Sequence, residues 1–586
     1  MTASEAEAQQ LLHKALQLSA SGDRAAAIQA LRTHVDQHHE RPEPLLLLLE
    51  WLLANPQSAE ATSIGHYASS LRRPEWQTDF RVLHQRGRCA QHRGDLTEAE
   101  CLYRQALKVG APAALSQAQL AVALLAQERW ADAIRELEPL LEAEPERLDL
   151  HSNQAVALLR LNRLKEALTA SDRCLQLLKV LEVSDRDRAD LWLNRGTVLQ
   201  ELGDREQARL ATEQALALHP EITNGHTNLG LLAHFGRNLA QAEQAYKRSL
   251  EQNPDDTLAS VNLAGVLLAQ GGDKTQEGWS CYQQRLNGPA QLLTPPNGPQ
   301  TMWQGEALSG PLLLVHEQGL GDSFQFIRLA QDLKQQGLNC WFQGPAKLHD
   351  LLLTSSLVER CLNETDPVPA EVASWCPLLS LPYLLGGKLS PQGPSPADGA
   401  YFKVKPSLQQ HWLSTLGATK QLRVALHWQG NPDHEFALSR GRSLPLRTLE
   451  PLAAIDGIEW LSLQKGPGSE QISLGAFASR WHPQQALVSN TWGFEDTAAI
   501  LSSCDLVISS DSGLAHLAGG LGRPVWLLLS WLPEWRWGLE GERTGWYECH
   551  RLYRQAKEGD WDAVALELQR DLSAAVQEHQ TNTQQG

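Results

Sequence analysis

The chain of 586 residues is too long for a single hydrophobic core, so we expect two to four domains. Its 42% hydrophobic and 20% charged residues are typical of an ordinary folded protein. The formal net charge of −17 argues against electrostatic binding of nucleic acid, because phosphate contacts need clustered lysines and arginines. No apolar run approaches the roughly 20 residues of a membrane helix, which argues against an integral membrane protein.

The N-terminal segment is polar and lacks the basic and apolar stretches of a signal peptide, which predicts a cytoplasmic protein. Nine cysteines are scattered along the chain without a CxxC pair. That pattern is typical of reduced thiols and argues against both a disulfide framework and a structural zinc site. The oligomeric state is not specified by any of these features.

Residues 1–290 contain an internal repeat. Alanines in matching contexts follow one another at intervals of 34, 34, 41 and 34 residues, at Ala99, Ala133, Ala167, Ala208 and Ala242. Thirty-four residues is the tetratricopeptide period. Three glycines lie twelve residues before an alanine, where two helices pack too closely for a side chain: Gly87, Gly196 and Gly230. We predict seven or eight repeats in an all-α solenoid, with the seven extra residues of the longer interval near 179–186.

Such an array predicts a concave face that holds a protein or peptide. Repeats do not encode their partner, so the alternatives that the array supports the second half of the chain or mediates self-association stay open. The next stretch, residues 291–310, is rich in Pro and Gly and predicts a linker.

From residue 311 the pattern changes to alternating strands and helices. Residues 312–316 predict a buried strand, and a glycine-containing loop then leads into a helix over 323–336. A second series of the same kind begins after Tyr401. We therefore predict two Rossmann-like α/β lobes, residues 311–405 and 406–586, whose loops face each other across a cleft.

The segment from Asp505 to Leu529 predicts a complete βαβ unit. A strand over 506–509 meets a tight turn over 510–513, and a short helix follows. At the carboxyl end of a parallel strand, the unpaired first N–H groups of the helix favour an anion such as phosphate. The alternative is that Asp511 and Ser512 only cap the helix.

A family resemblance rests on long ordered segments, among them HEQGLGDSFQFIRLA, HWQGNPDHEFALSRGRSLPL, LSLQKGPG and FEDTAAILSSCDLVISSDSGLAHLAGGLGRPVWLLL. The chain resembles bacterial tetratricopeptide proteins with a C-terminal domain similar to the heptosyltransferases (glycosyltransferase family 9). More loosely it resembles O-linked N-acetylglucosaminyltransferases that carry tetratricopeptide repeats. The resemblance covers about residues 300–575. It implies a GT-B fold, a nucleotide-sugar donor as substrate, inversion at the anomeric carbon, and no requirement for a metal or a cofactor.

The resemblance also implies roles for individual residues. Asp322 is expected to be the general base that takes the proton from the acceptor hydroxyl, with capping of the next helix as the alternative. The donor side is expected to comprise Asp511, Ser512, Gly513, His516, Arg442, Asn431 and Gln464. The loop on the acceptor side is expected to comprise Gly319, Gly321, Ser323 and Gln325. For His516, packing in the interior beneath the loop is an equal alternative.

The leading hypothesis is therefore an inverting glycosyltransferase whose repeats recruit or present a protein. A second hypothesis is a tetratricopeptide scaffold with a transferase-like domain that has lost catalysis; the presence of all the polar site residues favours the enzyme. A third, assembly of the lipopolysaccharide core, would need a membrane surface, and the acidic balance argues against it. The sequence does not name the sugar, the nucleotide base or the acceptor.

Overall fold

The structure is a computed structural model that describes residues 3–38, 41–54, 63–288, 293–386, 399–432, 435 and 441–585. Two units are formed by residues 1–225 and 226–586. Within the described ranges, every helix is too short or too polar to cross a membrane.

The described part of the first unit is helical. Its helices are α1 (Ala3–Ala20), α2 (Arg24–Gln37), α3 (Glu43–Leu53), α4 (Ile64–Ser70), α5 (Phe80–His92), α6 (Leu96–Lys108), α7 (Ala113–Ala126), α8 (Trp130–Ala143), α9 (Leu148–Arg160), α10 (Leu164–Leu177), α11 (Asp185–Leu202) and α12 (Arg205–Leu218). A Gly-Asp turn recurs between paired helices. The glycine has a positive φ and the aspartate caps the next helix by accepting a backbone N–H, at Asp23, Asp95 and Asp204.

The predicted repeat geometry is confirmed at two positions in this unit. A Cβ atom added to Gly87 would lie 2.6 Å from the ring of Tyr103, so the two helices do approach too closely for a side chain. The seven extra residues of the 41-residue interval lie near 179–186, as predicted. Helix α10 ends at Leu177 and α11 begins at Asp185, and α11 is 18 residues long.

The second unit opens with four more helices, α13 (Gly225–Phe235), α14 (Leu239–Gln252), α15 (Thr257–Gln270) and α16 (Thr275–Tyr282). A short 3-10 helix, Gln283–Asn287, follows directly. Residues of α15 and α16 join the same hydrophobic core as the α/β part of the unit. The end of the helical array and the first sheet are therefore packed together within this unit.

Two helical glycines of this unit provide a test of the repeat packing. A Cβ atom at Gly230 would lie 2.5 Å from the ring of Tyr246, whereas one at Gly265 in α15 would meet nothing within 4 Å. We expect Gly265→Ala to raise the free energy of unfolding by about 0.5–1 kcal/mol, the difference in helix propensity. Gly230→Ala is expected to lower it because the ring of Tyr246 must shift. Urea titration of both variants checks the prediction, and a change of the same sign in both would contradict it.

Nine parallel strands build two sheets in the described part of this unit. The first contains β1 (Leu312–Val315), β2 (Cys340–Gln343), β3 (Arg360–Leu362) and β4 (Ser374–Pro377), in the order β3-β2-β1-β4. The second contains β5 (Leu422–His427), β6 (Ile458–Ser462), β7 (Leu506–Ser510), β8 (Val525–Leu529) and β9 (His550–Arg554), in the order β6-β5-β7-β8-β9. The strand order reverses between β1 and β4 and between β5 and β7, and such switch points are where open α/β sheets bind ligands.

Helices connect the strands. They are α17 (Leu320–Phe326), α18 (Leu329–Gln335), α19 (His349–Thr354), α20 (Leu381–Leu384), α21 (Pro406–Leu416), α22 (Glu450–Ala453), α23 (Gln485–Ser489), α24 (Phe494–Ser502), α25 (Gly513–Gly520) and α26 (Trp561–Gln585). The parallel sheets confirm the α/β class of this part of the chain, and the βαβ unit over β7, α25 and β8 has nearly the predicted bounds.

The prediction of one helix over 323–336 is wrong. Helix α17 already begins at Leu320 and ends at Phe326, and a separate helix, α18, begins at Leu329. The early start has a local cause, because the carboxylate of Asp322 accepts the N–H of Gly319 at 2.8 Å and so caps the first turn from within. Asp322 is therefore the third residue of the helix and not the residue that precedes it.

The stretch predicted as a linker packs in part against the first sheet. The backbone N–H of Trp303 donates to the carbonyl of Trp375 at 2.8 Å, and that of Trp375 donates to the carbonyl of Thr301 at 3.2 Å. The side chain of Trp303 is buried. This segment thus extends the first sheet beyond β4, while residues 289–292 lie outside the described residues.

Candidate functional site

The loops at the two switch points meet. A Cβ atom added to Gly321, in the first turn of α17, would lie 3.3 Å from the Cα of Gly513, the first residue of α25. The two backbones are therefore in direct contact, which two glycines permit. The structure thus brings the predicted acceptor-side loop and the predicted phosphate turn to one place.

The predicted phosphate turn places Ser512 at the second switch point, between β5 and β7. Ser512 is the N-cap residue of α25, but its side chain does not cap the helix. Its hydroxyl instead lies 3.2 Å from the hydroxyl of Ser509, in β7, and 3.3 Å from Nδ1 of His427, the last residue of β5. Burial lowers the pKa of His427 to about 4, so this imidazole is neutral at pH 7.

Asp511 precedes this residue and is half-buried. Burial raises the pKa of Asp511, and the positive charges of Arg442 and Arg536 partly offset that rise. Asp511 thus lies within the electrostatic reach of two arginines that come from different loops of the second unit.

The loop after β5 carries two of the predicted donor residues. The guanidinium of Arg442 lies against Gly430, where an added Cβ atom would be 3.2 Å from Nε. Arg442 also forms an ion pair with Glu435 at 3.6 Å. Asn431 is exposed. Residues 433–434 and 436–440 of this loop lie outside the described residues; within the described part, Arg442 is close enough to Asp511 to act on its charge.

Gln464, predicted to contact the donor, is held by the backbone of the loops around it. Its side chain is buried and makes four hydrogen bonds to backbone groups. The oxygen accepts from the N–H groups of Trp428 and Gln429 at 3.1 and 3.0 Å, and the amide donates to the carbonyls of Gln429 and Pro467 at 2.9 and 2.7 Å. These bonds use the full capacity of the amide and tie the loops after β5 and β6 together.

His516 is packed in the interior beneath the loop, which was one of the two predicted arrangements. Its ring stacks on Trp537, with centroids 5.3 Å apart, and its Nδ1 lies 2.9 Å from the hydroxyl of Tyr547. Burial lowers the pKa of His516 well below its usual range, and the nearby arginines act in the same direction. The edge of this neutral ring still reaches the contact between the loops, because Cδ2 would lie 3.2 Å from a Cβ atom at Gly321.

The carboxylate of Asp322 is held by a residue more than two hundred positions away. Arg536, in the segment after β8, forms an ion pair with it, and the same guanidinium donates to Gln325 at 2.6 Å and pairs with Glu534 at 2.6 Å. The side chains of Arg536 and Asp322 are 10% and 14% exposed. An ion pair between two largely buried side chains thus fixes the position of the Asp322 carboxylate.

The remaining two residues of the acceptor-side loop are buried. The hydroxyl of Ser323 is 2.7 Å from Nδ1 of His316, and Gln325 is fully buried and accepts from Arg536. The side chains of Ser323 and Gln325 thus lie buried beneath the loop. Gly319, Gly321 and Asp322 lie at its surface, at the switch point.

Sequence reasoning missed Arg536 and His427. One signal for Arg536 is present in the sequence, since an arginine flanked by tryptophans in SWLPEWRWG is expected to be buried and a buried arginine needs a carboxylate partner. The local sequence does not indicate that the partner of Arg536 is Asp322. Among the described residues, no cluster of three or more His, Cys, Asp or Glu side chains is arranged to hold a metal ion.

Comparison with known proteins agrees with the two-part architecture. Residues 118–175, 193–257 and 227–276 match the tetratricopeptide repeat family, and residues 469–530, which include β7, α25 and β8, match glycosyltransferase family 9 (heptosyltransferase). The protein FlbA of Caulobacter vibrioides is 27% identical over 473 residues, which cover 74% of each protein.

Solved structures similar to this chain include a tetratricopeptide repeat protein. A tetratricopeptide repeat protein from Parabacteroides merdae is 12% identical with a TM-score of 0.36, over 44% of this chain and 97% of its own. The APC/C hetero-tetramer Cut9–Hcn1 is 19% identical with a TM-score of 0.38, over 43% of this chain and 48% of its own. The chain thus combines tetratricopeptide repeats with a C-terminal segment that matches glycosyltransferase family 9.

Proposed function

We propose that this protein transfers a sugar from a nucleoside diphosphate sugar to an acceptor hydroxyl, with inversion and without a metal ion. The observation that carries the proposal is the contact between Gly321 and Gly513, which places the loops at the two switch points face to face. Two α/β lobes that share one site in this way are what a GT-B enzyme needs, because the donor binds one lobe and the acceptor the other.

On the donor side, the first N–H groups of α25 have no partner within the helix and face the switch point between β5 and β7. With the hydroxyl of Ser512 and the guanidinium of Arg442, they provide donors for a diphosphate. These groups stabilise the negative charge that develops on the leaving nucleoside diphosphate as the sugar bond breaks. This role needs no metal ion in the proposed mechanism.

On the acceptor side, Asp322 takes the proton of the acceptor hydroxyl as the oxygen attacks the anomeric carbon. Its carboxylate is held in place by the ion pair with Arg536, which also pairs with Glu534. The repeats then recruit the protein or peptide that carries, or regulates access to, the acceptor.

A scaffold without catalysis is the second candidate, and the position of Gln464 favours it. All four hydrogen bonds of that side chain go to backbone groups, so a residue expected on the donor is committed to the fold. In this case the cleft is an interaction module, and the protein is expected to bind partners but no nucleotide.

The two candidates differ in nucleotide binding. We expect one series among ADP, GDP, UDP and dTDP, with or without a sugar, to raise the melting temperature in the presence of EDTA; a ligand at 100 times its Kd adds about 2.7 kcal/mol of apparent stability. If none of them shifts the melting curve, the scaffold is favoured. Inversion is then checked on the product, whose anomeric configuration must be opposite to that of the donor.

Arg442 is the residue to change in this assay. We expect Arg442→Ala to weaken binding of the stabilising nucleotide by roughly 10- to 100-fold, since a hydrogen-bonded charge contributes about 1.5–3 kcal/mol. Arg447→Ala is the matched control, because Arg447 is exposed in the 3-10 helix Leu446–Leu449 a few residues along. Equal losses of affinity in both variants would show only a general effect of net charge.

A further inference from the structure

A buried ion pair joins the end of the repeat array to the first sheet. Arg285, in the 3-10 helix after α16, donates from Nε and Nη2 to the two carboxylate oxygens of Glu317 at 2.9 and 2.7 Å. The side chains are 1% and 0% exposed. Glu317 lies just beyond β1, at the entrance to the loop that contains Gly319, Gly321 and Asp322.

The same pair reaches the other side of the switch point. Arg285 donates to the hydroxyl of Ser380 at 3.0 Å, and Glu317 accepts the N–H of Leu379 at 2.8 Å. Leu379 and Ser380 follow β4 directly. One guanidinium from the repeats thus binds the segments that leave both strands of the first switch point.

A tyrosine one turn earlier supports the same loop. The hydroxyl of Tyr282, at the end of α16, accepts from the side-chain amide of Gln318 at 2.9 Å. Gln318 has a φ of +60°, a left-handed conformation that is uncommon for a residue with a side chain and persists where its surroundings hold it. Side chains from the repeats therefore contact two consecutive residues just before Gly319.

We propose that Arg285 is a positioning residue for sugar transfer: acting through Glu317, it holds the loop over 317–322 so that Asp322 faces the phosphate turn. The catalytic part of this inference rests on the proposed transferase function. The repeats then do more than recruit a partner, because their last segment forms part of the framework of the acceptor side. A displaced loop misplaces the base, and a misplacement of about 1 Å can cost about 100-fold in rate.

The test uses the full chain with Arg285→Met, with the double variant Arg285→Met/Glu317→Gln, and with Arg248→Met as the control in an exposed position of α14. The single variant leaves an uncompensated buried carboxylate. The double variant removes both charges, and the introduced glutamine keeps an oxygen that accepts the N–H of Leu379. Hydrogen exchange is followed in peptides over 316–322, 378–381 and 506–520. Hydrolysis of UDP-glucose, GDP-mannose, ADP-glucose and dTDP-glucose, in which water takes the sugar, is measured as release of the nucleoside diphosphate.

We expect faster exchange over 316–322 and 378–381 in Arg285→Met, with 506–520 unchanged. The kcat for donor cleavage is expected to fall roughly 10- to 100-fold, while KM for the donor stays within about twofold, because the donor side is intact. The double variant is expected to regain the wild-type melting temperature but neither the exchange protection nor kcat. That separation distinguishes positioning of the loop from a merely structural contribution.

Unchanged exchange over 316–322 in a folded variant would overturn the inference, and so would recovery of kcat together with the melting temperature in the double variant. If Arg285→Met does not fold, hydrogen exchange over 316–322 and kcat are measured in the double variant instead, and the same outcomes test the inference. If no nucleotide raises the melting temperature and wild type cleaves none of the four nucleotide sugars, the proposed function fails, whereas the exchange data still decide whether Arg285 holds the loop.

Discussion

A chain of residues 291–586 is expected to be unfolded, whereas a chain of residues 226–586 is expected to fold. The shorter chain lacks Trp279 and Tyr282, which are buried among residues of the α/β part; the Trp279 ring lies 5.9 Å from Phe326 and 5.3 Å from Trp535, measured between centroids. It also lacks Arg285, so the carboxylate of Glu317 is buried without its partner.

The magnitudes decide this outcome. Burial of a large apolar side chain contributes about 1.5–3 kcal/mol, and loss of one partner from a buried ion pair costs about 3–5 kcal/mol. A typical domain has only about 5–15 kcal/mol of stability in total. Circular dichroism and urea unfolding of the two chains provide the measurement. A cooperative transition in the 291–586 chain would mean that the last repeats are a separable adaptor, as the sequence alone suggests.

Replacement of Asp322 by asparagine is expected to lower the rate of sugar transfer by about 10²–10⁴-fold, the usual contribution of a general base. Asparagine keeps an oxygen for the N–H of Gly319, and Arg536 keeps its ion pair with Glu534. The fold and the binding of nucleotide are therefore expected to persist. The measurement is kcat with the donor identified by thermal shift, together with the melting temperature.

Asp350→Asn is the matched control, because Asp350 is an exposed aspartate in α19 of the same lobe. It is expected to leave kcat unchanged. Wild-type turnover in Asp322→Asn would remove Asp322 from the mechanism while leaving the donor site in place. Loss of nucleotide binding in this variant would instead indicate that the ion pair with Arg536 organises the donor side.

Much of the fold was predictable because its signals are local. The tetratricopeptide period specifies helices and their pairing, and it places Gly87 on one helix of a repeat against Tyr103 on the next. Continuous apolar runs mark strands of a parallel sheet that is covered on both faces, as for β1 and β8. The turn at Ser512 and Gly513 follows from the strand before it and the helix after it.

One prediction was wrong, and another residue has contacts that the sequence did not indicate. The helix predicted over 323–336 begins earlier, at Leu320, because Asp322 caps the N–H of Gly319 from inside the first turn. Gln464 was expected on the donor, but its amide ties two loops together once β5 and β6 are neighbours. The order of strands depends on the whole sheet, so the sequences of β5 and β6 do not indicate that these strands are neighbours.

The sequence by itself determined the repeat array, the α/β class of the second part and the residues that lie at strand ends, since periods of about 34, 3.6 and 2 residues are written in short stretches. Only the tertiary structure decided which side chains meet: Asp322 with Arg536, Ser512 with His427, and Glu317 with Arg285. These partners are 32 to 214 residues apart in the chain. Their pairing depends on how sheets and helices pack, and packing leaves no periodic trace in a single sequence.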